Sequence, residues 1–151
     1  MNLLESFKSN LSLVEERLGY VFENKDLLVQ AFIHRSFVNE VKPLQLAHNE
    51  RLEFLGDSVL GLCIADYLFH RLPQFPEGNL SQLRSKLVDA VSCAAYLQKL
   101  KVTDAILLGK GERMGEAKTS IQADCFEALI GAIYLDGGVQ IEKSFLLCHF
   151  E

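Results

Sequence analysis

Glu50, Glu53 and Asp57 stand at i, i+3 and i+7 among the apolar residues Leu52, Phe54, Leu55, Val59 and Leu60. On a helix turning 100° per residue, this spacing puts the three carboxylates within about 60° of one another. Asp124 and Glu127 repeat the i, i+3 arrangement inside the apolar run 121–135. Like charges one turn apart repel, and a carboxylate beside a core without a partner is costly. A hard divalent cation would compensate both sets: Mg²⁺ takes carboxylate and water oxygens, and two helices can converge on it. The same spacing suits solvated helix faces paired with bases such as Arg51 and Arg84. Spacing alone leaves both readings open.

Other chemistries are tested by absence. No glutamate has a histidine three residues later, as a di-iron bundle needs, and there is no His-Glu-x-x-His zinc motif or Gly-x-x-x-x-Gly-Lys-Ser/Thr phosphate loop. His34, His48, His70 and His149 have no metal-ligand spacing, and His34 reads as a hydrogen-bonded structural residue. Fifteen Lys and Arg against twenty Asp and Glu give a net charge of −5, the opposite of a general nucleic-acid coat. Any nucleic-acid role must be local or assisted by metal. Cys63, Cys93, Cys125 and Cys148 are dispersed in apolar runs and read as reduced core residues of a cytoplasmic protein. No apolar run approaches the ~20 residues of a membrane span, so no membrane association is expected.

The elements that must position these acids are helical. Leu11, Val14 and Leu18 predict a helix closed by Gly19, and Asn24 caps a second that runs through Leu27, Leu28, Ala31 and Phe32 to about Val38. Residues 39–47, with Pro43, predict a loop. A long central helix follows over about 48–72, burying Leu52, Leu55, Val59, Leu62 and Leu68, until Pro73 and Pro76 end it. Beyond Gly78-Asn79 a helical region carries Leu83, Leu87, Val91, Ala95 and Leu97. Residues 101–108 have no clear pattern, and 109–118 predict a loop. Another helix begins near Ser120 and stops at Asp136-Gly137-Gly138, and 139–151 begin a last one. The expected fold is all-α, in one domain over 1–151.

The run Asn49-Glu50-Arg51-Leu52-Glu53-Phe54-Leu55-Gly56-Asp57-Ser58 resembles the signature of ribonuclease III, the family that cuts double-stranded RNA. The resemblance extends to His34-Arg35-Ser36, to Pro76-Glu77-Gly78-Asn79-Leu80-Ser81 with Leu83-Arg84, and to the run from Ala123 to Asp136, all in family order. It implies the ribonuclease III endonuclease-domain fold and a two-fold homodimer in which Phe54 enters a socket of the partner. The alternative for Phe54 is a plain core residue.

Residue by residue, the resemblance makes Glu53, Asp57, Asp124 and Glu127 the metal acids, Asp57 and Glu127 among them catalytic. Glu50 and Glu77 rank second, as acids near the cleft. Arg84 and Lys86 are candidate RNA contacts, against the bland reading of solvated bases. The implied cofactor is Mg²⁺, with Mn²⁺ as a substitute. The implied reaction is water attack on duplex RNA, leaving 5′-phosphate and 3′-hydroxyl ends with two-nucleotide 3′ overhangs, in processing of ribosomal precursors and messenger RNA. A catalytically silent RNA-binding or structural subunit is the alternative, and silent relatives should have lost metal acids. Two departures bear on affinity: Lys110, Arg113 and Lys118 are interspersed with Glu112 and Glu116 where relatives are more basic, and Asn79 stands at an often acidic position. Bacterial members normally continue into a double-stranded-RNA-binding domain, expected to be absent from this chain.

Overall fold

The computed structural model describes residues 2–41, 46–113 and 118–150, with the side chains of Arg113 and Cys148 left out. The predicted loop around Pro43 and the middle of the 109–118 segment therefore lie outside the described residues. The elements are α1 (Leu3–Ser9), α2 (Leu11–Leu18), α3 (Lys25–Ala31), α4 (Arg35–Glu40), α5 (Glu50–Arg71), α6 (Glu77–Leu87), α7 (Ala90–Lys99), α8 (Lys110–Arg113) and α9 (Lys118–Phe150). A 3₁₀ turn occupies Thr103–Ala105. The fold is all-α; among the described residues the only β feature is an isolated parallel bridge between Ile33 and Leu107.

The centre of the molecule is the crossing of α5 and α9, with α7 and α3 packed on α9. Phe22, Phe32, Leu60, Leu97, Phe126, Leu129, Ile130 and Ile133 are buried there. Two glycines let α5 and α9 touch backbone to backbone. A Cβ added at Gly56 would overlap the carbonyl oxygen of Glu127, and one at Gly131 would overlap that of Leu52. Only hydrogen fits at either position.

Several termini follow the sequence. Gly19 closes α2 with φ 70°, and the Asn24 side chain caps α3 by accepting from Asp26 N–H. Gly138, at φ 85°, breaks α9 where the Asp136-Gly137-Gly138 stop was expected. Asp136 is fixed just before the break: its carboxylate accepts from Tyr20 Oη at 2.6 Å and from the N–H groups of Glu23 and Asn24 at 3.0 and 2.8 Å.

Other expectations are corrected. The helix expected from Asn24 to about Val38 is two, because the backbone around Phe32–His34 turns outward to other partners. Leu107 N–H donates to Phe32 C=O at 2.7 Å, His34 N–H to Leu107 C=O at 3.0 Å, and Asn49 N–H to Ile33 C=O at 2.9 Å. The region after Gly78 is likewise two helices, since the Asp89 side chain accepts from Ser92 N–H and starts α7 afresh. This resets the helical phase, leaving Val91 exposed. Leu62, expected in the core, is exposed on the face of α5 away from α9. Helices α1 and α8 have no counterpart in the expected elements. Cys63, Cys93 and Cys125 are buried and free, as expected.

Glu142 is fully buried in the last part of α9, with neither carboxylate oxygen hydrogen-bonded among the described residues. Burial pushes its pKa up to about 9 from an ordinary 4.5. The folded state therefore holds a proton that the unfolded chain releases. Stability should fall as pH rises from about 4.5 to about 9, costing on the order of 3 kcal/mol at pH 7. Glu142→Met should unfold at higher denaturant near pH 8 and gain little at pH 4. A variant equally destabilised at both pH values would contradict this account.

Candidate active site

Asn49 sets the start of α5. It is buried, and its Nδ2 donates to Ala31 C=O at 3.1 Å while its backbone N–H is held by Ile33. From that anchor Glu53 and Asp57 rise along α5 toward α9, and the glycine contact brings Asp124 and Glu127 opposite them. Oxygens of Glu53, Asp124 and Glu127 lie within 4.8 Å of one another.

The acids pair across the helix crossing. Glu53 is hydrogen-bonded to Asp124, and Glu127 to Asp57. Each pair joins one acid of α5 to one of α9, and in each the raised partner keeps the proton and donates it. Burial is the main cause, with neighbouring carboxylates adding to it: Glu53 is pushed up to about 7, and Glu127 to about 8. Burial also raises Asp124, opposed by the Glu53 hydrogen bond and by the charge of His34. No base among the described residues forms an ion pair with these four acids, so the reading of solvated faces neutralised by arginines does not describe them. Glu53, Asp124 and Glu127 are half-buried and crowded, with Asp57 exposed beside Glu127, and without a paired base the set fits a hard divalent cation, which binds carboxylates in their ionised form.

The other candidates stand further out. Glu50 is exposed, 3.7 Å from Arg35 and 4.0 Å from His48, and its charge reaches Glu53 and Asp124. Glu77 is exposed at the start of α6, where it accepts from Ser81 Oγ at 2.9 Å. Arg84 and Lys86 are exposed in the last turns of α6. Phe54 is 80% exposed, which excludes the plain core reading for this chain by itself. Leu62 and Phe69, exposed on the same helix, lie within about 80° of it in helical projection. Gly56, Gly131 and Asn49 shape the site without any chemistry the sequence would flag.

A ribonuclease-III-like family model matches residues 24–150. The chain is 56% identical to a ribonuclease 3 of Protochlamydia amoebophila, over 99% of this chain and 62% of that protein. It is 42% identical to one of Staphylococcus haemolyticus, over 96% of this chain and 60% of that protein. It thus spans about three-fifths of the length of these curated relatives. The nuclease domain of Campylobacter jejuni ribonuclease III superposes with a TM-score of 0.82 at 41% identity, covering 91% of this chain and 94% of that one. A Dicer from Pichia stipitis aligns with a TM-score of 0.64 at 28% identity, over 83% of this chain and 54% of that one. The acids whose spacing called for a cation, the helical crossing that gathers them and these relatives converge: the chain belongs to the ribonuclease III family and corresponds to its nuclease domain.

Proposed function

We propose that this chain is the catalytic part of a Mg²⁺-dependent endoribonuclease that hydrolyses double-stranded RNA in the cytoplasm, with ribosomal precursors and messenger RNA as substrates. The observation that carries the reading is the pair of cross-helix carboxyl contacts, Glu53 with Asp124 and Glu127 with Asp57, held without a counter-charge. These four residues would hold the metal, with Mn²⁺ able to replace Mg²⁺. A divalent cation there would neutralise the non-bridging phosphate oxygens and polarise the attacking water.

The chain's own groups do the rest. With a cation bound and the proton of Glu127 displaced, Glu127 and Asp57 orient the water, and one of them accepts its proton as its oxygen bonds to phosphorus. The bond to the 3′ oxygen breaks, that oxygen takes a proton from a second water or from the carboxyl that received the first, and the products carry a 5′-phosphate and a 3′-hydroxyl. Partial burial of Glu53, Asp124 and Glu127 strengthens their attraction for a cation, whose positive charge would offset the negative charge that develops on phosphorus. Glu50 and Glu77 flank the cleft, and Arg84 and Lys86 offer phosphate contacts outside it.

The Campylobacter jejuni nuclease domain is described as having a region involved in dimer formation. We extend dimerisation to this chain through the exposed Phe54, Leu62 and Phe69, which lie on α5 away from α9. A two-fold dimer presents one site to each strand of an A-form helix. An end-labelled RNA duplex should therefore be cut with Mg²⁺ and left intact with chelator, giving 5′-phosphates and a two-nucleotide 3′ stagger. Cleavage that persists in chelator, or unstaggered cuts in single strands, would contradict the proposal. Binding without cleavage, in this chain and in a longer chain carrying an RNA-binding domain, would favour the silent-subunit reading.

A further inference from the structure

Arg35 is the first residue of α4, where the helix dipole disfavours a cation, so its charge does nothing for the helix. Its side chain is 66% exposed, with the guanidinium 3.7 Å from Glu50 Oε1. At that distance the two attract as an ion pair without sharing a hydrogen bond, and the Arg35 side chain makes no other contact of either kind among the described residues. All five of its N–H donors are open.

The backbone beneath the pair is fixed. Ile33 C=O accepts the N–H of Asn49 at 2.9 Å, which sets the chain just before Arg35 against the chain just before Glu50. His34 N–H is bound to Leu107 C=O at 3.0 Å, and the His34 side chain accepts Ser36 N–H at 3.1 Å, so α4 is held on both sides of Arg35. On the other side of the pair, Glu50 N–H donates to His48 Nδ1 at 3.4 Å, and Gln30 Nε2 holds His48 C=O at 3.1 Å.

Glu50 stands one turn before Glu53 on α5, about 60° from it in projection, and Glu53 shares the acid cluster with Asp124 and Glu127. Arg35 is therefore at the rim of the cleft, one carboxylate removed from it. Among the described residues the ion pairs at this end of α5 are those of Glu50 with Arg35 and His48, and of the two bases only arginine is always charged. An RNA strand with one phosphate at the acids carries its neighbouring phosphates past this rim, where carboxylates alone would repel them. A planar guanidinium with free donors matches phosphate oxygens.

We propose that Arg35 binds a phosphate of the RNA strand next to the one being cut, and that Glu50 is a positioning residue that holds the guanidinium at the rim of the cleft. This role rests on the duplex-RNA reading above; cleavage by the unaltered chain tests that reading, and the variants test the role.

Arg35→Gln, Arg35→Lys, Glu50→Gln and the double variant are compared with the parent. kcat and KM are measured on an end-labelled RNA duplex with Mg²⁺ over a series of salt concentrations, Mn²⁺ binding by electron paramagnetic resonance titration without RNA, and thermal unfolding alongside. Arg35→Gln should unfold at the parent's temperature and bind Mn²⁺ like the parent, because an exposed ion pair contributes little to stability and Arg35 pairs with none of the four metal acids. The loss should fall on KM, raised about 10-fold, with the slope of log KM against log salt reduced by about one. Arg35→Lys keeps the charge and should keep the slope, with a smaller rise in KM. With Glu50 already replaced by glutamine, Arg35→Gln should raise KM only about 2- to 3-fold, because nothing then holds the guanidinium in place.

If Arg35→Gln matches the parent in KM and salt slope, or if KM rises only as the unfolding temperature falls, the role of Arg35 is overturned. An Arg35→Gln effect as large or larger in the absence of Glu50 would show that Glu50 competes for the guanidinium instead of placing it. A loss of Mn²⁺ affinity of about 10-fold or more in Glu50→Gln would make Glu50 part of the metal site, and either result overturns its positioning role. A parent that does not cut duplex RNA overturns the preceding reading and this role with it.

Discussion

Glu127→Gln is expected to lower the rate of duplex RNA hydrolysis by roughly three orders of magnitude while leaving the protein at least as stable as its parent. Glutamine keeps the shape and can still donate to Asp57, as the protonated Glu127 does. It cannot release that proton, so the site loses one of its negative charges whatever the pH. The parent carboxyl is pushed up to about 8, mainly by burial. Being raised, it contributes stability that declines as pH climbs from about 4.5 toward 8, and the amide does not titrate. The variant should therefore gain on the parent in denaturant titrations as pH rises through this window. Activity equal to the parent at saturating Mg²⁺ would remove Glu127 from the catalytic set. A large loss of stability at pH 8 would show that its role is structural.

Gly56→Ala should be as damaging through geometry as Glu127→Gln is through charge. The new methyl group would overlap the carbonyl oxygen of Glu127, an atom of the α9 backbone that no side-chain rotation can move. Helices α5 and α9 must separate, at a cost of about 3 kcal/mol or more. Separation also parts Glu53 from Asp124 and Asp57 from Glu127. Near-complete loss of activity and Mn²⁺ binding should therefore persist at temperatures where the variant is fully folded. Gly78→Ala, in α6 with nothing within 4 Å of the added methyl group, should be neutral or slightly stabilising. If Gly56→Ala matched the parent in unfolding and Mn²⁺ binding, the close crossing would not be what assembles the site.

The acids were legible because charge at one-turn spacing inside an apolar helix is anomalous in sequence alone. Which acid meets which was not. Pairing Glu53 with Asp124 and Asp57 with Glu127 depends on where two helices cross, and the crossing is set by Gly56 and Gly131, which on a linear pattern only weaken helices. Periodicity assigned Leu62 to the core because it reports which residues share a face, not whether another element covers that face. The same limit left Phe54 between core and interface until its exposure decided. The breaks at Phe32–His34 and at Val88-Asp89 escaped because the apolar pattern runs on through them. The first is held open by contacts with Leu107 and Asn49, and the second is a cap. His34 reads as a structural histidine in the sequence, and its Nδ1 contacts with Ser36 agree. Nothing in the sequence marks Glu142 as buried, because only the folded α9 shows it facing inward.

If Glu53, Asp57, Asp124 and Glu127 hold a divalent cation, Glu53 and Glu127 must give up their protons to it, which calorimetric titration of Mn²⁺ in buffers of different ionisation enthalpy measures. With Glu53 pushed up to about 7 and Glu127 to about 8, the two together hold between one and two protons at pH 7, which binding must displace. Binding should release between one and two protons per site at pH 7, declining toward zero by pH 9.5, with Mn²⁺ affinity rising over the same interval. In Glu127→Gln the release should fall by close to one proton. Mn²⁺ binding without proton release, or with the same release in that variant, would contradict the account.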